Sequence, residues 1–381
     1  MLSRTLVTFG KYLLVIAIVV AGFNLLAYNG WQTRERGRLN LLTKRDIYLN
    51  APENYQVVYF GDSRTFCALH PDLLEPSLGV PGYNLSFWAN WLPTQFAYIE
   101  DIAPHIPSGT VFVWSLGHVN FSEGKIRPVY PVGWPRLWTM LSMGFTFEDL
   151  SENLFAYTPV LWAFGYRERI MEEIDVKLGR PLVAQTLPAP IAANAEVEQI
   201  VIAHGRASGV AGTELYHDGA DLASVALYKN NGAYLRVEIK PEYYRALQSE
   251  TAVELAAKAE PVTELQADPR YWALFQKSLD VLQQHGVRVV INEIEEAPHH
   301  YPTLAAHQEA RRFMRDVVRT EVERRGIPYV RAGFDLLSDQ DYFDYNHLNS
   351  KGVAVYTRMF APLLKPHVDA AKVDIDPAAG D

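Results

Sequence analysis

The chain has 381 residues, nearly half of them apolar, which suffices for one large or two modest globular domains. A net charge of −9 argues against nucleic acid as a partner, because phosphate binding needs clustered Lys and Arg. The single cysteine, Cys67, excludes an intramolecular disulfide framework and any multi-cysteine metal site, and it leaves the redox compartment open.

At the N-terminus, residues 12–28 (YLLVIAIVVAGFNLLAY) carry no charge. At about 1.5 Å per helical residue this run comes close to spanning a hydrocarbon core of roughly 30 Å. Ala27-Tyr28-Asn29 is a poor cleavage site, so residues 1–30 read as an uncleaved transmembrane signal anchor. Arg34, Arg36, Arg38, Lys44 and Arg45 after the span outnumber Arg4 and Lys11 before it. Charge counting alone would therefore leave the following domain in the cytoplasm.

Residues 31–53 read as a polar linker or short helix, and 55–60 as a buried strand running into Gly61-Asp62-Ser63. A loop or short helix at 72–78 and a Pro81-Gly82 turn precede a second strand at 83–86. Helical spacing covers 93–102, with Pro93 acceptable in the first turn. The β-rich apolar run 110–116 (TVFVWSL) suits a central parallel strand. Beyond the middle of the chain a helix closes at 282–286, and 287–292 (VRVVIN) is another such strand. A long amphipathic helix at 303–326, ended by Gly326, leads to a last strand at 327–330 and a closing helix at 351–364. Strands alternating with helices predict an α/β fold, a three-layer αβα sandwich around a central parallel sheet. Its two parts lie at 54–121 and 264–366, split by an insertion or cap at 122–263, in which 148–178 reads as helical. Residues 367–381, acidic and Ala-rich, read as a disordered tail.

Two distant stretches carry the chemistry. VVYFGDS at 57–63 puts Ser63 at a strand-to-loop turn, and DYNHLN at 344–349 puts Asp344 and His347 three residues apart ahead of a helix. A serine nucleophile needs a base for its proton and an acid to orient and stabilise that base. Together the stretches supply all three: Ser63 as nucleophile, His347 as general base and then acid, Asp344 as the group that holds the imidazole. Each has a plainer competitor, since Ser63 and Asp344 also suit caps of local turns and His347 a surface position. Asp62 is assigned to support of the turn.

Gly61-Asp62-Ser63 at the end of a first strand, with Asp344-x-x-His347-Leu348-Asn349-x-x-Gly352 before the last helix, resembles the SGNH (GDSL-like) hydrolases and acyltransferases. The local form looks most like the membrane-anchored branch that serves alginate-type polysaccharide O-acetylation and teichoic-acid D-alanylation. The resemblance covers roughly 56–121 and 287–364. It implies an SGNH/flavodoxin-like sheet and a periplasmic or otherwise extracytoplasmic catalytic domain on the inner membrane, against the charge count. It also implies a polysaccharide acceptor and a multispanning membrane O-acyltransferase as partner, with no cofactor. The family's oxyanion hole uses the serine amide, a glycine amide and an asparagine side chain. Here Ala89 stands where the glycine is expected, and Gly117-His118-Val119-Asn120 is one residue longer than the usual spacing. Ala89 and Asn120 are the candidate donors. The expected activity is O-acetyl transfer, with an SGNH esterase or an inactive polysaccharide-binding or assembly subunit as alternatives.

Glu293, Glu295, Glu296, His299, His300 and the later His307 are metal-ligand types without a standard zinc spacing, so a solvated loop is the default and no metal is expected. Trp88, Trp91, Trp114, Trp134 and Trp138 suit sugar stacking, a membrane face or core packing. Cys67 reads as a small buried hydrophobe.

Overall fold

A computed structural model describes residues 11–12, 14–26, 41–121, 130–158, 267–294, 304–333, 337–338, 341–342 and 347–375. Within them β1 (Val57–Phe60), β2 (Gly82–Asn84), β3 (Val111–Leu116), β4 (Arg288–Glu293) and β5 (Tyr329–Arg331) form one sheet. The order is β2-β1-β3-β4-β5, and every pairing is parallel. The central strands are apolar on both faces because both faces are covered. Val58 and Phe60 of β1, Phe112 and Trp114 of β3, and Ile291 of β4 point into one buried cluster. Val57, Tyr59, Val113 and Val290 alternate into the other. The first cluster is completed by α1 (Leu41–Asn50), α4 (Leu92–Ile102) and α7 (Pro269–Gln284). The second is completed by α3 (Pro71–Leu78) and α10 (Ser350–Ile375), with the short α2 (Ser63–Ala68) between β1 and α3. The three-layer α/β sandwich is therefore as expected.

The edges of elements differ from the sequence reading for local reasons. β2 stops at Asn84 because the Asn84 side chain accepts from Ser86 N at 2.8 Å and donates to the carbonyls of Thr65 and Leu69, which diverts the backbone from the ladder. The helix expected over 303–326 is α8 (Leu304–Phe313) and α9 (Arg319–Arg324) joined by a π-helical turn, Met314–Val318. Gly326, with φ of 71°, follows its end.

Three boundaries need correction. Residues 41–50, read as linker or short helix and left outside the domain, form the helix α1 and belong to the core, with Leu41, Lys44 and Tyr48 buried at helical spacing. Part of the expected insertion belongs to the core: Tyr130, Val132 and Met140 are buried in the first cluster, and Arg136 pairs with Glu100 and Asp101 of α4. This part contains α5 (Trp134–Ser142) and α6 (Phe147–Ala156), the latter started by a capping box between Thr146 and Asp149. Residues 122–129 and 159–266 lie outside the described residues. The chain past 366 is not a loose tail up to residue 375, since Val368 and Ala371 continue the buried face of Phe360 and Leu364.

Among the described residues no helix is long and apolar enough to cross a membrane, so the expected transmembrane helix is not found there. Of the run 12–28, residues 12 and 14–26 are described and helical, and Leu14, Ile18 and Phe23 are exposed there.

Candidate functional site

The sheet order reverses between β1 and β3: the chain leaves β1 for β2 on one side and later adds β3 on the other. The carboxyl ends of adjacent strands diverge at such a reversal and open a crevice where ligands of open α/β sheets bind. Ser63 follows β1 and Asn120 follows β3, so both stand at this reversal. The turn after β1 needs Gly61, where an added Cβ would lie 2.8 Å from the carbonyl oxygen of Ser115 and against the Thr65 hydroxyl. Asn90 Nδ2 donates to the Gly61 carbonyl at 3.1 Å, tying the loop after β2 to the same turn.

Helix capping falls to Asp62, whose carboxylate accepts from Arg64 N at 2.9 Å. Ser63 is left as the first helical residue, partly exposed, and its side chain makes no hydrogen bond to another described residue. The competing reading of Ser63 as the cap therefore does not hold. Asp62 does more than support the turn. It forms an ion pair with Arg64, and both side chains are buried. Burial opposes the charged form of Asp62, but Arg64 and the amide of Asn120 outweigh it and hold the pKa below the ordinary carboxylate value.

Asn120 belongs to this network. Its Oδ1 accepts from Arg64 Nη2 at 2.7 Å and from Gly117 N at 2.8 Å, while its Nδ2 donates to Asp62 at 3.1 Å. Asn120 thus ties the end of β3 to the turn after β1, with one of its two amide hydrogens engaged in doing so. Gly117 is hemmed in as well: an added Cβ there would meet the Arg64 guanidinium and, at 2.6 Å, the Ile294 carbonyl.

Ala89 lies in the loop after β2 with φ of 50°, the only non-glycine residue with positive φ among the described residues. It adopts the backbone conformation that glycine enters without penalty, at the position where the family resemblance calls for glycine. Alanine at this position therefore still makes the left-handed turn. Beside it, Trp88 meets Phe66 of α2 edge to face at 4.9 Å between ring centroids, and the His347 ring in the same manner at 5.4 Å. His347 is thereby drawn across the molecule to the layer of rings over the helix that begins at Ser63.

The described residues next to His347 are held by several contacts. Tyr342 and Leu348 form an antiparallel bridge, and Asn349 donates to the Tyr342 carbonyl and accepts from Gly352 N. An added Cβ at Gly352 would collide with the Asp341 carbonyl, which gives the Asn349-x-x-Gly352 spacing a steric reason. Asp344 lies outside the described residues.

The remaining candidates separate by burial. Glu293 is buried, accepts from the Tyr329 hydroxyl at 2.7 Å and faces Arg331 at 3.5 Å, which accounts for its carboxylate. Glu295, Glu296, His299 and His300, and the side chain of His307, lie outside the described residues. Trp114 is core, its indole donating to Gln95, whereas Trp134 and Trp138 are exposed, the latter by 76%. Cys67 is a buried free thiol. Arg64 and Lys44 escaped the sequence reading. The signals were present: Arg64 directly follows the serine, and Lys44 holds the middle of the 41/44/48 spacing. No protein-family model matches the chain, so the chemistry of the site has to be argued from its own residues.

Proposed function

We propose that the chain is a membrane-anchored serine acyltransferase of the SGNH type that places an acyl group, acetyl in the first instance, on a cell-envelope polysaccharide. The observation that carries this reading is the Ser63 hydroxyl at the sheet reversal, relieved of capping by Asp62, with the His347 ring held in the adjoining aromatic layer. Ser63 Oγ bonds to the acyl carbon, the donor's carbon–oxygen bond breaks, and the serine proton passes through His347 to the departing alkoxide. A sugar hydroxyl then gives its proton to His347 and bonds to the acyl carbon, the Ser63 Oγ–acyl bond breaks, and His347 returns the proton to Ser63 Oγ. Asp344 holds the imidazole and stabilises its cation. The Ser63 and Ala89 amides, with the second amide hydrogen of Asn120, face the oxygen on which charge develops. The exposed apolar helix at 14–26 supports anchoring at a membrane, and the resemblance supports a periplasmic domain working beside a multispanning acyltransferase.

A second reading, an inactive polysaccharide-binding or assembly subunit, is favoured by the engagement of Asn120 with Asp62 and Arg64. An esterase is the third. Turnover of p-nitrophenyl acetate by the wild type and Ser63→Ala, with and without an oligosaccharide acceptor, separates them. A transferase loses activity in Ser63→Ala and diverts acetyl from water to sugar. Turnover by the wild type indifferent to acceptor points to an esterase, and equal background rates in both proteins point to the inactive subunit.

A further inference from the structure

Lys44 is fully buried, and among the described residues no carboxylate pairs with it. It shares a helix face with Leu41 and Tyr48, where an apolar side chain would pack at less cost. Burial pushes its ammonium well below the ordinary lysine value, with Cys67 acting in the opposite direction. Its Nζ donates to the carbonyl of Ser86 and stands 4.3 Å above the ring of Phe66. Those two partners belong to the two halves of the candidate site. Ser86 begins the loop that carries Trp88 and Ala89. Phe66 lies on the helix that begins at Ser63 and receives the edge of Trp88, which in turn meets His347.

We propose that Lys44 is a positioning residue for acyl transfer. By holding the Ser86 carbonyl from a position over the Phe66 ring, its Nζ sets the height of the loop 86–90 against the Ser63 helix, and with it the Ala89 amide and the Trp88 ring that seats His347. This rests on the acyl-transfer reading above. A buried amine satisfied by one carbonyl and one aromatic face is a costly way to fill a core, because a polar group taken out of water needs partners that an apolar side chain does not. Its return is geometric: a left-handed alanine and an edge-on tryptophan in adjacent positions need the start of their loop held fast.

The test compares Lys44→Met, which keeps length and loses the donor, with Lys44→Gln, which keeps a neutral donor. The readouts are Ser63 acylation by p-nitrophenyl acetate, thermal midpoint, and backbone hydrogen exchange over 86–91, all on the full chain. The expected result for Lys44→Met is a fall in kcat of tenfold or more with KM within twofold. Its midpoint stays within a few degrees of the wild type, and exchange at 89–90 speeds up while β1 stays protected. Lys44→Gln recovers part of the rate. A Lys44→Met variant with wild-type kcat and wild-type exchange over 86–91 overturns the proposal, as does one in which exchange rises equally in β1 and in the loop. If the wild type itself takes no acyl group, the acyl-transfer reading falls, and loop exchange alone decides whether Lys44 fastens the loop.

Discussion

Asp62 and Arg64 are each buried because of the other: a lone carboxylate or guanidinium in that place would face the full cost of leaving water. Arg64→Met should therefore destabilise the fold by ~3–5 kcal/mol in denaturant unfolding, since it leaves Asp62 uncompensated. A loss below about 1 kcal/mol would mean that water reaches the carboxylate. The folded-state pKa of Asp62 is depressed, so its contribution is complete above the unfolded value of about 4 and is lost as pH falls through the lower folded value. Asp62→Asn should accordingly flatten the acid side of the stability curve, read from unfolding midpoints at pH 7 and pH 3. At Ala89 the sign is opposite. A non-glycine residue in the left-handed region costs about 1–2 kcal/mol, partly offset on substitution by the greater entropy glycine loses on folding. Ala89→Gly should raise stability by ~0.5–1 kcal/mol, and a lowered denaturation midpoint would contradict a left-handed turn at that position.

At the scale of the element, what could be read from sequence follows from how many physical signals coincide. The cores of β1, β3 and β4 are short continuous apolar runs buried on both faces, and their positions were legible within a residue or two. The end of β2 was not, because the Asn84 side chain rather than a hydrophobic pattern terminates it. α1 was left between linker and short helix because Lys44 puts a charge inside its buried stripe, and α10 was cut short because Pro366 reads as a stop. In the candidate site, Ser63 at a strand end was visible, as was the irregularity at Ala89. The Arg64–Asp62–Asn120 network was not, since it joins residues 56 and 58 positions apart, which no local pattern reports. α10 gives its own prediction. Removing residues 367–381 strips the buried Val368 and Ala371 from the second cluster and should cost ~2–3 kcal/mol in urea unfolding. An unchanged midpoint would return the segment to the status of a loose tail.

For the whole molecule, the reversal of sheet order between β1 and β3 decides where chemistry can occur, because it places the ends of strands from distant parts of the chain side by side. The last loop and helix then bring His347 onto Trp88, and through Phe66 onto the helix of Ser63. The measurement that addresses this convergence most directly is labelling of the full chain with a fluorophosphonate, followed by peptide mapping. The account predicts one phosphonyl adduct on Ser63, slowed at least a hundredfold in His347→Ala at equal thermal midpoint. An adduct on another residue, or labelling of Ser63 at the same rate without the His347 ring, would contradict it.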